Sequence, residues 1–409
     1  MSKSANPADA VMPTYGRIDL SFVRGEGSYL YTESGTAYLD CATGIAVNTL
    51  GHHHDGLRAA LHDQIDKLWH VSNLYRIPGQ EKLAARLAEA ANLDQVFFCN
   101  SGAEANEAAV KMARRYHYHA QKQAGDAAQA EERVRIICAG GSFHGRTLAM
   151  LAATDRPQFR EGFGPMPAGF DHVPYGNLNA LRDALGPDVA AIMIEPVQGE
   201  GGAKAAPEGY LEAVRKAADE FGVLVIADEV QSGMGRSGHL FSYQLSGIQP
   251  DLVVLAKGLG GGFPIGAVIA RADIGAAMGP GSHGSTFGGN PLAMAAGNAV
   301  MDALMAPDFL ADVRSRAAYL DGALLRLHEA FPQLIKERRG QGFLRGLALV
   351  EDVSAADLNK ALRERHILSV PAAENTVRLL PPLTISKAEI DQLSEGLFAA
   401  LTELAARLS

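Results

Sequence analysis

The chain has 409 residues, more than one hydrophobic core usually supports, so we expect two structural domains. Apolar residues make up 47% of the sequence and charged residues 20%, which is typical of a globular protein and not of a disordered or membrane-spanning one. The formal net charge of -9 and the lack of any basic run argue against nucleic acid as a partner.

The start of the chain and its cysteines indicate a cytoplasmic protein. The first residues lack the basic start and apolar core of a signal peptide, and no apolar stretch approaches the roughly 18 residues of a membrane-spanning helix. Cys41, Cys99 and Cys138 lie far apart without any C-x-x-C pair, as is typical of reduced thiols. We therefore expect a cytoplasmic location and no membrane partner.

The beginning of the chain predicts a loose tail, a hairpin, a histidine-rich turn and two helices. Residues 1 to about 14 form the tail, and residues 28–39 contain two short β-like runs around an E-S-G turn. The three adjacent histidines at 52–54 suggest a metal site, but neighbouring side chains point in different directions, which favours a structural or helix-leading role. Helical spacing of apolar residues follows at 57–68 and 78–91.

Strands and helices alternate from residue 96 onward, which predicts a mostly parallel sheet covered on both faces. Open sheets of this kind bind ligands beyond the carboxyl ends of their strands. Charged side chains at strand ends therefore indicate chemistry. The predicted strands are residues 96–99, 134–138, 190–194, 223–228, 251–256 and 264–270.

The first of these strands leads into a helix through a turn of small residues. Ser101 and Gly102 form the turn, either Asn100 or Ser101 can cap the helix, and Glu104 and Glu107 suit its first turn. A strand, a small-residue turn and a helix amino terminus together form a cradle for phosphate. Such junctions are also common in proteins that bind no ligand there.

The second strand leads into a glycine-rich loop that delivers Phe143, His144 and Arg146. An aromatic ring there can stack on a planar ligand, and an arginine can hold a carboxylate bidentately. The alternative is a core phenylalanine and a surface arginine.

Two further strands end on charged residues, Asp228 and Lys257. A lysine directly after a buried strand is poorly hydrated, which lowers its pKa and frees the amine to act as a nucleophile. The alternative is that Lys257 extends to solvent or pairs with Asp228.

The remainder of the chain predicts a smaller α/β unit. Helices are expected near 292–305 and from 307 to about 327, then short strands in F-L-R-G-L-A-L-V and V-R-L-L-P-P-L, and a final helix from Lys387 onward. The segment from Gln121 to Glu132 is expected to be a surface insertion.

The strand ends together present a phosphate cradle, an aromatic ring, an acid and a lysine. Pyridoxal 5'-phosphate requires this set: an imine to lysine, an acid at the pyridinium nitrogen, a stacked ring and an anchored phosphate. A nicotinamide dehydrogenase fits less well, because the glycines 258–262 lead into a strand instead of a helix. A hydrolase would need G-x-S-x-G, which the sequence around Ser237 lacks, and no P-loop is present.

Motifs along nearly the whole chain resemble those of the class III pyridoxal-phosphate aminotransferases, most closely the acetylornithine aminotransferase branch. The resemblance implies an α/β architecture of fold type I, with a mostly parallel sheet in a large domain and a smaller α/β domain. We expect residues 1–70 to contribute to the small domain, 71–305 to form the large cofactor-binding domain and 306–409 the C-terminal small domain. The motifs are S-G-A-E-A-N-E-A-A, S-F-H-G-R-T, E-P-V-Q-G-E-G-G, A-D-E-V-Q-S-G-M-G-R, A-K-G-L-G-G-G-F-P-I-G-A and G-S-T-F-G-G-N-P.

The resemblance also implies roles for single residues. Lys257 attaches the cofactor and moves the proton, Asp228 pairs with the ring nitrogen and Gln231 reaches the ring hydroxyl. The phosphate is held at Ser101, Gly102 and Ala103, Phe143 stacks on the ring, and Thr286 reaches the phosphate of the neighbouring subunit. Arg146 holds a substrate carboxylate beside Ser285, Arg378 takes the second carboxylate of glutamate, and Glu200 pairs with Arg378 when that carboxylate is absent.

The substrate is expected to be an acylated ornithine. Ornithine aminotransferases that resemble this chain often have a tyrosine where it has Gly44, and the loss of that ring leaves room for an acyl group. We expect transfer of the terminal amine of N-acetylornithine to 2-oxoglutarate in arginine biosynthesis, by a ping-pong mechanism in a homodimer with interfacial sites. The alternatives are succinylornithine, ornithine or 4-aminobutyrate as donor, and a non-catalytic binding protein on the same fold.

Overall fold

The structure is a computed structural model that describes residues 10–123 and 132–408. Part of the expected tail and most of the expected insertion between Gln121 and Glu132 therefore lie outside the described residues. The strands are β1 (Arg24–Glu26), β2 (Tyr29–Tyr31), β3 (Ala37–Asp40), β4 (Gln95–Cys99), β5 (Arg135–Ala139), β6 (Phe170–Val173), β7 (Val189–Ile194), β8 (Val197–Gln198), β9 (Lys204–Ala205), β10 (Leu224–Asp228), β11 (Leu252–Leu255), β12 (Gly266–Ala270), β13 (Ile335–Gln341), β14 (Leu344–Leu349), β15 (Ile367–Leu368), β16 (Val370–Ala372) and β17 (Thr376–Leu379).

The helices lie between these strands and at the end of the described chain. They are α1 (Thr43–Ala46), α2 (Asp55–Ile65), α3 (Pro78–Ala91), α4 (Gly102–Gln123), α5 (Leu148–Ala153), α6 (Pro157–Arg160), α7 (Leu178–Ala184), α8 (Tyr210–Phe221), α9 (Ala272–Ala276), α10 (Pro291–Leu304), α11 (Phe309–Ala330), α12 (Ala355–Glu364) and α13 (Lys387–Leu408).

A seven-stranded sheet in the order β4-β12-β11-β10-β7-β5-β6 forms the centre of the molecule. Strand β12 runs antiparallel to both of its neighbours, and the other described pairings are parallel. Strands β7, β10, β11 and β12 are buried along their whole length, as their uniformly apolar sequences require. The prediction of a mostly parallel sheet is confirmed.

Helix α4 packs across this sheet through a face of small residues. Ala105, Ala108 and Ala109 are fully buried there, together with apolar residues of β5, β7, β11 and β12. Side chains this small let the helix approach the sheet closely. The amino terminus of α4 is thereby fixed at the edge where the parallel strands end.

Two four-stranded sheets lie outside the central one. The first has the order β1-β2-β3-β15, so the predicted hairpin is confirmed, and its β3 pairs in parallel with β15 from the last part of the chain. The second has the order β13-β14-β17-β16. The division into segments 1–70, 71–305 and 306–409 stays a prediction.

The histidine-rich turn has the structural role favoured by the sequence. Nε2 of His52 is 2.8 Å from Oδ2 of Asp40, and a ring nitrogen of His54 accepts a hydrogen bond from the backbone of Leu57 at the start of α2. These contacts join the turn to the hairpin and cap the helix.

Candidate active site

A cavity of about 560 Å³ opens at the carboxyl ends of β4, β5, β7, β10 and β11. Parallel strands deliver their last side chains to one edge of a sheet, so this is where the sequence predicts the chemistry. The cavity is lined by eight of the predicted site residues, which are Ser101, Gly102, Ala103, Phe143, Arg146, Asp228, Gln231 and Lys257.

Asp228 ends strand β10 and is only 3% exposed. Its Oδ2 accepts a hydrogen bond from Nδ2 of Asn106 at 2.8 Å and lies 2.7 Å from Nδ1 of His144, while its Oδ1 accepts one from the backbone of Val230. Burial disfavours the charged form of His144, but the hydrogen bond to Asp228 and the charge of that carboxylate raise the pKa of His144 above its ordinary value. A protonated His144 in turn stabilises the negative charge of Asp228 in the cavity.

Asn106 and His144 line the cavity and contact Asp228, and the sequence predicts no role for either. His144 was expected at the strand end but received no role, and Asn106 lies four residues into α4 on its buried side. Nε2 of His144 and Oδ1 of Asn106 have no hydrogen-bond partner among the described residues. The only sequence signal for either residue is its position within a motif that also contains a predicted site residue.

Lys257 follows strand β11 and begins a short 3₁₀ turn, with φ at +41°. A positive φ is rare for a lysine and is one form of backbone strain that occurs at functional sites. Burial lowers the pKa of Lys257 and Arg378 lowers it further, although Glu200, Asp228 and Glu195 act in the opposite direction. Among the ion pairs of the described residues none joins Lys257 to Asp228. The amine is therefore partly shielded from water and more readily neutral than an exposed lysine, as a nucleophile or base requires.

The turn between β4 and α4 has the form of an anion cradle. Oγ of Ser101 accepts a hydrogen bond from the backbone N–H of Glu104, and the Glu104 carboxylate accepts one from the backbone N–H of Asn100. Side chains therefore bind two of the backbone N–H groups at the start of the helix. The N–H groups of Gly102 and Ala103 belong to the first turn, where no intrahelical partner exists. A Cβ on Gly102 would lie 2.9 Å from the side chain of Val230, so the close approach of this turn to β10 requires glycine.

Phe143 and Arg146 lie on the loop after β5. The guanidinium carbon of Arg146 lies 3.6 Å from the ring centroid of Phe159 and 5.5 Å from that of Phe143. Arg146 is exposed and has no carboxylate partner among the described residues. A cation held on aromatic rings without a protein counter-ion is suited to binding a carboxylate from solution.

Glu195 follows strand β7 and is a third cavity residue for which the sequence predicts no role. It is 5% exposed, lines the cavity and accepts a hydrogen bond at Oε2 from the backbone of Phe143 at 3.1 Å. Burial raises the pKa of Glu195 to about 7, an effect that His144 opposes and Asp228 reinforces. The contact fixes the start of the loop that presents Phe143.

Glu200, Gln231 and Arg378 form a connected group beside the cavity. Nη2 of Arg378 lies 2.7 Å from Oε1 of Glu200, and Nη1 donates to Oε1 of Gln231 at 2.6 Å. Arg378 is 1% exposed, whereas the Glu200 side chain is partly exposed. Burial disfavours the Glu200 carboxylate, but the charges of Arg378 and Lys257 and the hydrogen bonds from Arg378 and Gln231 together lower the pKa of Glu200. The structure thus places together three residues that lie far apart in the sequence.

Ser285 and Thr286 lie outside the cavity lining of this protomer. Oγ of Ser285 accepts hydrogen bonds from Nδ2 of Asn100 at 3.1 Å and from the backbone of Gly288 at 3.0 Å, which joins its loop to the cradle. Thr286 is exposed. Its predicted role toward a neighbouring subunit stays a prediction.

The part of the chain that the structure describes has neither a metal site of protein side chains nor a membrane-spanning helix. Within residues 10–123 and 132–408 no group of histidine, cysteine, aspartate or glutamate side chains has the arrangement of a metal site. No helix in the same ranges is long and apolar enough to cross a bilayer. The three cysteines are free and buried.

The arrangement supports a specific kind of chemistry. It combines an amine of lowered pKa, a buried acid held by an imidazole and an amide, an anion cradle and two arginines, one of them paired with a partly exposed acid. Such a set can bind a phosphorylated cationic ring and carboxylate substrates, and it can move a proton at the bound substrate.

Comparison with known proteins agrees with this description. The sequence profile of a family described as "Aminotransferase class-III" matches residues 11–401. The acetylornithine aminotransferase of Agrobacterium fabrum is 48% identical over 403 residues, covering 98% of each chain. Among solved structures, the N-acetylornithine aminotransferase of Stenotrophomonas maltophilia K279a has a TM-score of 0.81 and 34% identity, covering 96% of this chain and 98% of that one. An ornithine aminotransferase structure from Toxoplasma gondii, with PLP at partial occupancy in its active site, has a TM-score of 0.91 and 30% identity, covering 98% of this chain and 94% of that one.

Proposed function

The chain belongs to the class-III aminotransferases, and we propose that it transfers the terminal amine of N-acetylornithine to 2-oxoglutarate. One observation carries the choice of donor. Relatives that are 48% and 49% identical over nearly the whole chain are acetylornithine aminotransferases, whereas the structurally similar ornithine aminotransferase is 30% identical. The products would be N-acetylglutamate 5-semialdehyde and glutamate, as in arginine biosynthesis.

Enzymes of this family depend on pyridoxal 5'-phosphate, and the residues around the cavity fit that group. Asp228 provides an anion for the ring nitrogen, Lys257 provides the amine for the aldehyde, and the start of α4 provides N–H groups for the phosphate. When bound, the cofactor supplies an aldehyde that takes up the donor's amine and a ring that delocalises the electron pair left by a departing proton.

Lys257 is the proposed acid–base residue. Its amine, with a pKa lowered by burial, would take a proton from the substrate carbon that bears the reacting amine and return it at the cofactor side. Glu195 and Glu200 contribute negative charge to the same surroundings, which limits how far the pKa of Lys257 falls. The amine therefore keeps enough basicity to accept the proton.

The two arginines are the proposed carboxylate sites. Arg146, exposed on Phe159, would hold a carboxylate that every substrate of the enzyme carries, with Ser285 beside it. Arg378 would hold the second carboxylate of glutamate or 2-oxoglutarate after Glu200 moves away. With a donor that lacks this carboxylate, Glu200 would pair with Arg378 again, so one site would serve both substrates.

Gly44 supports an acylated donor. Its segment, α1, is a left-handed turn with φ of +58° at Gly44 and +65° at Ile45. A Cβ on Gly44 would meet only Nδ2 of Asn48 at 3.5 Å and Cβ of Val47 at 4.0 Å. Gly44 itself is exposed, but Val47, three residues further along the same segment, lines the cavity, so an acyl group on a donor bound there would extend toward the open space at Gly44.

We also propose a cytoplasmic homodimer, with the division into domains given above. An apolar patch, formed by Leu68, Trp69, Leu74, Tyr75 and Phe287, is exposed on the protomer, and Leu74 is 88% exposed. The rings of His70 and Phe287 lie 5.3 Å apart, so the two parts of the patch are neighbours. Contiguous apolar surface of this kind is typical of an interface between subunits. Because Phe287 follows Thr286, a second subunit on the patch would bring Thr286 to the neighbouring site.

A comparison of donors tests the proposed function. The purified enzyme is assayed with 2-oxoglutarate and, in turn, N-acetylornithine, N-succinylornithine, ornithine and 4-aminobutyrate. We expect kcat/KM to be highest with N-acetylornithine and at least about tenfold lower with ornithine and 4-aminobutyrate, the discrimination expected from a pocket contact of a few carbon atoms. A higher kcat/KM with ornithine or 4-aminobutyrate would overturn the choice of donor.

A further inference from the structure

We propose that Gln231 is a positioning residue that holds the guanidinium of Arg378 ready for the second carboxylate of glutamate or 2-oxoglutarate, and that Gly199 keeps Gln231 in place. The inference rests on the proposed function of Arg378 as that carboxylate's site. It gives Gln231 a role in substrate selection beyond its expected contact with the cofactor ring.

The two Nη groups of Arg378 contact different side chains. Nη1 donates to Oε1 of Gln231 at 2.6 Å, and Nη2 lies 2.7 Å from Glu200. Nε is buried and has no hydrogen-bond partner among the described residues. Nε and Nη2 share one edge of the guanidinium plane, and this edge has the two parallel donors that a carboxylate accepts bidentately.

Only one donor of that edge is used by Glu200. When Glu200 moves away, the edge is free to bind a substrate carboxylate through both Nε and Nη2. Nη1 lies on a different edge of the guanidinium group and would remain bound to Gln231 while the carboxylates exchange. Gln231 would thus fix the plane of the guanidinium while its binding partner is exchanged.

Gly199 allows this placement of Gln231. A Cβ on Gly199 would lie 2.0 Å from Oε1 and 2.2 Å from Cδ of Gln231, so the amide packs directly on the glycine. Gly199 has no positive φ, so alanine is compatible with its backbone conformation. Alanine at this position would therefore displace the Gln231 amide, the flexible partner of the contact.

The Gln231 amide also contacts Glu200, the acid of the Glu200–Arg378 pair. Gln231 is also a hydrogen-bond partner of Glu200, which lies in the turn that follows β8. One amide therefore contacts both members of the Glu200–Arg378 pair. Loss of the amide would leave Glu200 as the side-chain partner of the buried guanidinium among the described residues, and Glu200 is the partner that leaves when the substrate carboxylate binds.

The test measures the binding of unreactive acids to the purified holoenzyme by calorimetry. Glutarate carries both carboxylates of the acceptor, and pentanoate carries one. We expect Gly199→Ala and Gln231→Asn each to weaken glutarate binding about tenfold, the effect of losing one hydrogen bond to a charged group, and to leave pentanoate binding within about twofold. Gly322→Ala, within α11 and with only the end of Arg326 near the added methyl group, is the matched control and should change neither.

The double variant separates positioning from general damage. If both changes act on the same amide, Gly199→Ala combined with Gln231→Asn should bind glutarate no more weakly than Gln231→Asn alone. The two half-reactions provide a second readout. Loss of the cofactor contact of Gln231 would slow both, so the expected result in Gly199→Ala is that the reaction with 2-oxoglutarate slows about tenfold more than the reaction with the amine donor.

Equal weakening of glutarate and pentanoate, or unchanged glutarate binding in both single variants, would overturn the inference. Fully additive effects in the double variant would also overturn it, because they would mean that Gly199 acts independently of Gln231. A wild-type enzyme that rejects N-acetylornithine but binds glutarate more tightly than pentanoate would refute the proposed donor and leave this inference open to the same test with the donor it accepts.

Discussion

Arg146 shows at the residue scale how the fold prepares a charge for a substrate. It lies on the ring of Phe159 and forms no ion pair with a described residue. Because each substrate carries a carboxylate for this arginine, Arg146→Ala should lower kcat/KM by about a hundredfold in both half-reactions, and Arg146→Lys should retain part of the activity. Stopped-flow absorbance of each half-reaction measures the effect.

The matched control is Arg58→Ala, which removes an exposed arginine of α2 that pairs with Asp55 at the surface. It should leave both half-reactions within about twofold, since exposed ion pairs contribute little. Unchanged turnover of both substrates in Arg146→Ala would refute the proposed role of Arg146.

Gly44 provides a second test at the residue scale. In Gly44→Tyr a ring would occupy the open space beside Val47, so kcat/KM for N-acetylornithine should fall at least about tenfold relative to that for ornithine. Gly44→Ala is the control for backbone strain, because it carries the cost of a side chain at φ +58°, about 1 kcal/mol, without the ring. A tyrosine variant that keeps the wild-type ratio of the two donors would show that Gly44 does not determine the choice.

The residues around Asp228 show what sequence could and could not predict at this scale. Asp228 and Lys257 were recognisable because each charge directly follows an apolar strand. Asn106 and His144 contact Asp228 from 122 and 84 residues away, and no local pattern distinguishes a buried asparagine that binds an acid from one that caps a turn. Such pairings depend on how α4 and the loop after β5 pack against β10.

At the scale of elements, the end of β10 places two neighbouring acids on opposite sides of the strand. Successive side chains of a strand alternate in direction, so Asp228 faces the cavity and Glu229 faces away from it. Glu229 is 1% exposed and accepts hydrogen bonds from Oγ of Ser232 and the backbone of Tyr243. Burial raises the pKa of Glu229 to about 7, although these hydrogen bonds oppose the shift.

This raised pKa predicts a pH-dependent stability. Between pH 4.5 and about 7 the folded protein holds a proton on Glu229 that the unfolded chain releases, so the stabilisation is present at low pH and is lost as the pH rises through about 7. Glu195, whose pKa is also raised to about 7, acts in the same direction. We expect the contribution of Glu229 to the free energy of unfolding to decrease by roughly 2 to 3 kcal/mol between pH 5 and 8.

Glu229→Gln tests this directly in urea unfolding at a series of pH values. Glutamine cannot titrate, so the fall in unfolding free energy between pH 5 and 8 should be shallower than in the wild type. An identical pH slope in both proteins would mean that Glu229 does not hold the additional proton.

The elements that were well predicted from the sequence are those whose residues directly reflect burial or mark the ends of the element. Strands buried on both faces are continuous apolar runs, and α3 matches its predicted range because proline at its first position and asparagine after its end mark both limits. Strand β13 was not predicted, because its sequence I-K-E-R-R-G-Q is mostly charged and lies at the edge of its sheet. The antiparallel direction of β12 depends on the short connection after Lys257, and the apolar pattern of a strand does not encode direction.

At the scale of the whole molecule, the exposed apolar patch predicts a dimer, and the proposed role of Thr286 would place part of each site in the neighbouring subunit. Nδ2 of Asn73 donates to the backbone oxygens of Ser285 and Gly288, so the segment with Leu74 is joined to the loop of Thr286. Leu74→Asp should shift the protein toward monomer in sedimentation experiments and weaken cofactor retention at least about tenfold, because a charge in an apolar interface is left unpaired.

Leu245→Asp, at an exposed apolar position outside the patch, is the matched control and should leave the sedimentation unchanged. A Leu74→Asp variant that sediments like the wild type would show that the patch is not the subunit interface. If that variant is monomeric but retains its cofactor fully, the predicted contribution of Thr286 to the neighbouring site is wrong.

The arrangement of the molecule around the central sheet was only partly predictable. The alternation of strands and helices identified the sheet, and the change of pattern after Pro307 suggested a second unit. The parallel pairing of β3 with β15 joins residues more than three hundred positions apart, and neither the four-residue β3 nor the two-residue β15 has a pattern that selects its partner. Long-range pairing of short strands is decided by the packing of the whole chain.

The absorption spectrum of the purified protein with pyridoxal 5'-phosphate tests the central claim most directly, which is that Lys257 serves amine transfer from N-acetylornithine. We predict a yellow band that N-acetylornithine removes faster than ornithine or 4-aminobutyrate does and that 2-oxoglutarate restores, and we predict that Lys257→Ala shows no such cycle. A wild-type protein that forms no yellow band after reconstitution, or a Lys257→Ala variant that completes the cycle at the wild-type rate, would contradict the account.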